Sequence, residues 1–191
     1  MKLLEERIRK DGVIRPGNVL KVDSFLNHQI DPVFLDCLAE EFQRLYAGEQ
    51  ITKILTIEAS GIGIASLLGL RLKVPVVFAK KSRSSNLSPE VYHTSIHSYT
   101  HNRENTVVVA KQYLSPQDRL LIVDDFLANG CALEGLLELA NQAGASVAGM
   151  GIVVEKGFQK GGDRLRSQGL RVESLAIVEE MDAEQGKIRF R

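Results

Sequence analysis

Short apolar runs alternate with helical patterns through the middle of the chain. Four apolar runs have the length of buried strands, at residues 54–57, 74–79, 120–123 and 147–154. Residues 61–70 are rich in small side chains and residues 132–143 have a helical period, so both predict helices. Strands and helices that alternate in this way predict an α/β fold whose parallel sheet is covered on both faces.

The N-terminal quarter of the chain follows a different pattern. Leucines mixed with charges over residues 1–10 predict a short amphipathic helix. Residues 13–30 have no clear helical period and predict an irregular segment with one short strand. Asp31 followed by Pro32 is typical of a helix start, with the acid as cap and the proline in the first turn. We expect residues 1–48 to form a small N-terminal lobe.

A polar segment that begins at residue 80 interrupts the alternation of predicted strands and helices. Residues 80–86 are basic and polar, without an apolar anchor, and are typical of a mobile loop. Residues 92–99 and 106–110 predict an antiparallel ribbon. Insertions of this kind often cover an active site. We therefore expect residues 80–117 to form a hood within one domain that spans residues 1–191.

Length and composition limit the classes of protein that the chain can belong to. At ~150 residues per domain, the 191 residues fit one domain. Hydrophobic residues make up 44% of the chain, which excludes disorder as the dominant state. Lys and Arg number 24, as do Asp and Glu, and the formal net charge is +0. This balance gives no support to a nucleic-acid or anionic-membrane partner, and we expect neither.

The remaining composition signals favour a soluble, cytoplasmic protein without a resident metal. The longest run without charge, residues 59–70, is shorter than the ~18–20 residues of a membrane helix, and residues 1–10 lack the apolar core of a signal peptide. Cys37 and Cys131 stand alone, as is usual in a reducing compartment. His93 and His97 lie on one strand face, but no acid completes a metal site between them.

The segment from 121 to 132 is the richest in candidate chemistry. An apolar strand leads into Asp124 and Asp125, and a loop of small residues then leads into a helix. Backbone amides of such a loop, with the helix N-terminus, form an anion site suited to a phosphate. The paired acids suit hydroxyl groups or a positive charge beside it, so the segment predicts a sugar phosphate site. The predicted phosphate-binding residues are Ala128, Asn129, Gly130, Cys131 and Ala132.

This run resembles the ribosyl-phosphate signature of the type I phosphoribosyltransferases. That signature has four apolar residues, two acids, two apolar residues, Ala-Thr-Gly and a small residue. Asn129 stands where threonine is usual, so a hydroxyl contact to phosphate would become an amide contact. The resemblance implies that family's fold, a parallel sheet flanked by helices with a base-binding N-terminal lobe and a mobile hood.

The resemblance also implies an activity. Members transfer a 5-phosphoribosyl group from 5-phosphoribosyl 1-diphosphate (PRPP) to a nitrogenous base and release diphosphate. Asp124 and Asp125 would be the catalytic pair that holds the ribose hydroxyls and favours a cation-like sugar. Mg²⁺ would assist, bound mainly through substrate oxygens. A homodimer is the assembly that the family implies.

A second match lies upstream, at a tight turn between a predicted strand and a predicted helix. In the family that it resembles, this place is the diphosphate loop, whose amides face the leaving group. The order along the chain also agrees, with a diphosphate loop, a basic hood and then a ribose-phosphate loop. The residues so assigned to diphosphate are Glu58, Ala59, Ser60 and Gly61, with Lys80 and Lys81 from the hood.

The flanking segments narrow the resemblance to family members that act on xanthine. Residues 19–32 and 153–158 are similar to their base-binding segments. This implies that xanthine is converted to xanthosine 5′-monophosphate (XMP) in purine salvage, with Leu20, Asn27 and Lys156 around the base. Two alternatives stay open: a transferase for guanine or hypoxanthine, and a non-catalytic regulator that senses the sugar diphosphate.

Overall fold

The computed structural model describes residues 1–82, 89–98 and 103–191. The helices are α1 (Lys2–Asp11), α2 (Pro32–Leu45), α3 (Gly61–Leu72), α4 (Cys131–Gln142) and α5 (Gly161–Ser167). The strands are β1 (Val13–Arg15), β2 (Val19–Lys21), β3 (Lys53–Ile57), β4 (Val76–Ser82), β5 (Val91–Ser98), β6 (Arg103–Ala110), β7 (Arg119–Leu127), β8 (Ser146–Lys156), β9 (Val172–Asp182) and β10 (Lys187–Phe190).

One large sheet organises the fold. Its strand order is β10-β9-β8-β7-β3-β4-β6-β5, and the five strands from β9 to β4 run parallel. The outer strands β10, β6 and β5 pair antiparallel with their neighbours. Because parallel strands share a carboxyl edge, the loops that follow β3, β7 and β8 meet at one side of the molecule. The predicted α/β class is therefore confirmed.

The hydrophobic core lies on both faces of this sheet. Residues of α1, α2 and α3 pack on one face, with Leu121 and Val123 of β7 among their partners. Residues of α4 and α5 pack on the other face against Leu120 and Ile122. Successive residues of one strand thus enter opposite halves of the core, which is the side-chain alternation expected of a strand covered on both sides.

The N-terminal residues form the expected first helix, but residues 13–30 contain two short strands and a π-helix (Asp23–Asn27) where one strand is predicted. Helix α1 ends at Asp11, and β1 and β2 form a small antiparallel hairpin. The Asp31 side chain accepts a hydrogen bond from the Phe34 N–H at 3.1 Å, so it caps α2 as predicted. Helix α2 ends at Leu45, three residues before Gly48.

Three further features of the fold differ from the elements predicted from the sequence. β7 extends through Leu127, so the two acids lie within the strand and not beyond its end. The segment that follows β8, for which no helix is predicted above, contains a turn of 3-10 helix (Gly157–Gln159) and then α5. β9 and β10 are absent from the elements predicted above, because their many charged side chains obscure the apolar face that β9 buries.

The expected ribbon is present as β5 and β6, which pair along their full length from Val91↔Ala110 to Ser98↔Arg103. β6 also pairs with the last residues of β4, so the ribbon continues the main sheet. The loop expected at residues 80–86 is wrong for residues 80–82, which belong to β4, and the rest of it lies in residues 83–88, while residues 99–102 separate β5 from β6. Both segments are outside the described residues.

None of the helices in the described part of the chain is long and apolar enough to cross a membrane.

Candidate active site

A cavity of about 580 Å³ opens at the carboxyl edge of the sheet, where β3, β7 and β8 end. It collects residues that are far apart in the chain but adjacent in the strand order. Of the residues proposed from the sequence, its lining includes Glu58, Ala59, Ser60, Lys81, Asp124, Asp125, Ala128, Asn129, Cys131, Ala132 and Lys156. The predicted diphosphate, ribose-phosphate and base segments therefore share one cavity.

The two acids occupy different environments in this cavity. Asp124 is 5% exposed, whereas Asp125 is half-buried. One carboxylate oxygen of Asp124 accepts a hydrogen bond from the Asp125 N–H at 3.0 Å. Burial raises the pKa of Asp124 well above its usual range, and the negative charge of Asp125 raises it further. The pair thus presents one carboxylate at the surface of the cavity and a second beneath it.

The loop after β7 forms the start of α4. Gly130 has a φ of 91°, a left-handed conformation that glycine adopts without strain. The Asn129 side-chain oxygen accepts a hydrogen bond from the Cys131 N–H at 3.2 Å. The amide that replaces the family's usual threonine is therefore turned onto the helix, where it caps one of the first N–H groups.

The loop after β3 approaches the acids closely. A Cβ atom at Gly61 would lie 2.2 Å from Thr56 Oγ1 and 2.9 Å from Asp124 Oδ1, so only glycine fits there. The peptide between Glu58 and Ala59 is cis. The Glu58 carboxylate accepts a hydrogen bond from the Lys81 N–H at 2.6 Å, which joins this loop to β4.

Lys156, the last residue of β8, adds a cation to the lining of the cavity. Its Nζ donates a hydrogen bond to the main-chain oxygen of Asn18 at 3.0 Å and lies 5.8 Å from the centre of the Phe126 ring. Burial lowers the pKa of Lys156 from its usual value. An ammonium has three donors, so two can serve a ligand while Asn18 occupies the third.

Asn27 contacts Asp125, the more exposed of the two adjacent acids. Its Nδ2 donates a hydrogen bond to Asp125 Oδ2 at 3.4 Å, while its buried Oδ1 has no partner among the described residues. The amide nitrogen carries a second hydrogen that this contact does not use. Asn27 therefore joins the N-terminal segment proposed to hold the base to one of the two acids.

Within the described part of the chain, the lining of this cavity does not include the other predicted site residues, which are Leu20, Asn27, Gly61, Lys80 and Gly130. Leu20 is 6% exposed and lines a separate groove of about 810 Å³ between α1, the β1–β2 hairpin and the β9–β10 hairpin. Lys80 is exposed, and its Nζ lies 5.9 Å from the centre of the Phe78 ring. Neighbouring residues of a strand face opposite ways, so Lys81 enters the cavity and Lys80 does not.

Several lining residues were not expected from the sequence. Gln159 comes from the turn after β8, and Ile96, Asn105 and Val107 come from the ribbon. The ribbon was predicted, but its register, which decides the residues that face inward, cannot be read without its turn. Gln159 gives no signal in the sequence beyond its place near Lys156.

The comparisons with known proteins agree with this architecture. The model of the phosphoribosyl transferase domain matches residues 29–182. The chain belongs to the phosphoribosyltransferase family, as its resemblance to that family's signature indicates.

Two curated relatives cover the whole chain. The xanthine phosphoribosyltransferase of Lachnoclostridium phytofermentans is 58% identical over 100% of this chain and 98% of its own length. That of Bifidobacterium adolescentis is 56% identical over 100% of both. Among solved structures, the adenine phosphoribosyltransferase of Rhodothermus marinus is 22% identical, with a TM-score of 0.74 over 93% of this chain and 99% of that one. This last likeness concerns the fold.

Proposed function

We propose that this protein transfers the 5-phosphoribosyl group of PRPP to xanthine in purine salvage, giving XMP and diphosphate. The observation that carries the proposal is the shared cavity. It combines a carboxylate pair, a small-residue loop at a helix N-terminus and a half-buried ammonium. The base follows from the names of the relatives that match over the full length.

In this reaction the bond between the anomeric carbon and diphosphate breaks, and its electron pair leaves with diphosphate. A bond to a purine nitrogen forms, and that nitrogen loses its proton. The sugar is cation-like between the two events, so Asp124 and Asp125 stabilise it by their negative field and hold its hydroxyls. The enzyme acts by positioning and electrostatics.

We assign each part of the two substrates to its own group of residues. Ala128, Asn129, Gly130, Cys131 and Ala132 hold the 5-phosphate. Lys81 and residues Glu58, Ala59, Ser60 and Gly61 hold the diphosphate, whereas Lys80, which does not enter the cavity, is no longer assigned to it. Lys156 donates to the 6-oxo edge of the base and Asn27 to the 2-oxo edge, while Leu20 supports the lobe beside them.

Mg²⁺ fits the donors that the cavity offers. Carboxylate oxygens such as those of Asp125 are hard ligands of the kind that Mg²⁺ takes together with substrate phosphates. The described residues contain no group of three or more His, Cys, Asp or Glu side chains placed to hold a metal ion. We therefore propose that the ion is held mainly by PRPP oxygens, where it would neutralise charge on the leaving diphosphate.

A panel of purines tests the function. Purified protein, PRPP and Mg²⁺ are incubated in turn with xanthine, guanine, hypoxanthine and adenine, and nucleotide formation is followed. The proposal requires xanthine to have the highest kcat/KM. A preference for guanine or hypoxanthine would contradict the base choice while leaving the reaction intact.

A non-catalytic regulator is the alternative from another class. It predicts PRPP binding without turnover, and a gel shift with purine-gene DNA fragments.

We further propose that the protein is a homodimer in the cytoplasm. Light scattering after gel filtration tests the dimer, because it measures the mass of the particle, which is compared with the 21.1 kDa of one chain.

A further inference from the structure

Helix α5 lies directly behind the loop proposed to hold the 5-phosphate. A Cβ atom at Gly161 would lie 2.3 Å from the Ala128 oxygen, 2.6 Å from the Asn129 carbonyl carbon and 2.7 Å from the Gly130 nitrogen. These are backbone atoms, which cannot move aside as a side-chain end can. The loop and the first residue of α5 are therefore in direct backbone contact.

Arg164 of the same helix contacts this loop with its guanidinium. Its Nη2 donates a hydrogen bond to the Asn129 main-chain oxygen at 2.8 Å, and it forms an ion pair with Glu134 of α4 at 2.7 Å. One cation thus joins the loop to the helix that the loop begins. A hydrogen bond from a charged donor is stronger than one between neutral groups.

The position of α5 is itself fixed by a buried ion pair. Glu155 is 1% exposed, and its carboxylate accepts hydrogen bonds from Arg166 Nη1 at 2.9 Å and Arg166 Nη2 at 2.7 Å. Glu155 belongs to β8 and lies next to Lys156 in the chain. The helix is therefore anchored to a central strand before it meets the loop.

We propose that Arg164 is a positioning residue, which fixes the orientation of the peptide between Asn129 and Gly130 for phosphate binding. A peptide group is planar and trans, so its N–H points opposite to its C=O. With the Asn129 oxygen held by Arg164 on the side of α5, the Gly130 N–H points away from that contact, and its neighbours Asn129 and Cys131 line the cavity proposed to hold the 5-phosphate. Gly130, with its φ of 91°, has the conformational freedom to rotate away without this contact.

The Asn129 side chain makes this contact more important. Its oxygen already accepts a hydrogen bond from the Cys131 N–H, so the main-chain N–H of Cys131 is already partnered within the loop. The Gly130 N–H then has a larger part in holding the anion. The inference deepens the proposed function, because it assigns this loop to the 5-phosphate of PRPP.

Ribose 5-phosphate is the probe that tests the inference, since it carries the 5-phosphate without the diphosphate. Its dissociation constant is measured by calorimetry for the wild type and for Arg164→Ala, together with that of inorganic diphosphate. We expect Arg164→Ala to weaken ribose 5-phosphate about tenfold, the size of one lost charged hydrogen bond. Diphosphate affinity and the KM for xanthine stay within twofold, and the KM for PRPP rises.

Three matched variants accompany this measurement. Arg164→Lys keeps a cationic donor and is expected to restore most of the affinity. Glu134→Gln removes only the ion pair and is expected to change affinity less than twofold. Arg189→Ala removes an exposed pair with Glu180 at the far edge of the sheet and controls for lost surface charge. Thermal melting of each variant confirms that it is folded.

The outcomes separate the inference from the function on which it rests. Unchanged ribose 5-phosphate affinity in a folded Arg164→Ala protein overturns the inference. A tenfold loss in Glu134→Gln also overturns it, because the ion pair and not the carbonyl contact would then be responsible. A wild-type protein that binds ribose 5-phosphate but forms no nucleotide contradicts the proposed function alone.

Discussion

Asp124 and Asp125 carry the proposed chemistry at the scale of single residues. Changing both to Asn preserves their size and removes their negative field at the sugar. We expect kcat to fall by roughly 10²–10³, the scale of losing a well-placed electrostatic contact. Steady-state kinetics with PRPP and xanthine measure this, and near-native turnover in the double variant would contradict the catalytic role.

Asp124 alone makes a prediction about stability. Because burial and the neighbouring Asp125 raise the pKa of Asp124 in the folded state, the folded state binds the proton more tightly than the unfolded chain does. Protonation of Asp124 therefore stabilises the folded state relative to the unfolded chain. The stabilisation is complete below the pKa of the unfolded chain, about 3.9, and is lost as pH rises through the pKa of the folded state.

Asn does not titrate, so Asp124→Asn removes this loss. The free energy of unfolding of the variant, relative to the wild type, is expected to rise from pH 4 towards neutral pH. Urea denaturation at a series of pH values measures it. A difference that is independent of pH would show that Asp124 has the same pKa in both states.

Asn27 and Lys156 are expected to divide base recognition between them. Asn27→Ala should lower kcat/KM for xanthine more than for hypoxanthine, which has no 2-oxo group, by about ten- to a hundredfold. Lys156→Ala should lower both, since both bases have a 6-oxo group. The measurement is the ratio of kcat/KM for xanthine to kcat/KM for hypoxanthine. Asn27 also contacts Asp125, and loss of that contact would affect both bases alike and leave this ratio unchanged.

The hairpin of β1 and β2 is the element that orients Lys156. Asn18 has a φ of 61°, and its main-chain oxygen accepts from Lys156 Nζ. Valine disfavours this left-handed conformation and glycine adopts it readily. Asn18→Val is therefore expected to raise the KM for xanthine roughly tenfold, with the KM for PRPP unchanged, and Asn18→Gly to behave as the wild type. Equal KM values in both variants would contradict this role.

At the scale of elements, the sequence predicts what local patterns encode. The Asp31 cap, the four central strands and the ribbon each have a signal within a few residues, and each is present. Lys80 shows the limit of such local signals. Two adjacent lysines on a strand face opposite sides, and the sequence does not reveal which of the two faces the cavity. Leu20 shows the same limit, since the groove that it lines is completed by β9 and β10, which are distant in the chain.

At the scale of the whole molecule, PRPP is expected to order the hood over the cavity. Hydrogen exchange with and without PRPP and Mg²⁺ tests this for residues 80–102, and we expect slower exchange with ligand. Helix α2 is the internal control, since its backbone hydrogen bonds are already formed and none of its residues lines the cavity. Equal exchange in residues 80–102 under both conditions would contradict the expectation.

β4 belongs to two parts of the molecule at once. Up to Ala79 it pairs with β3, and from Lys80 onwards it pairs with β6 of the ribbon. Gln142 of α4 holds the other strand of the ribbon by hydrogen bonds to the His93 N–H and main-chain oxygen, at 3.2 and 2.9 Å. The ribbon is thus attached to the rest of the fold at two places, through β4 and through the last residue of α4. Because Lys81 lies in the part of β4 that pairs with the ribbon, a tilt of the ribbon would move Lys81 relative to the loop after β3, where Glu58 accepts its N–H.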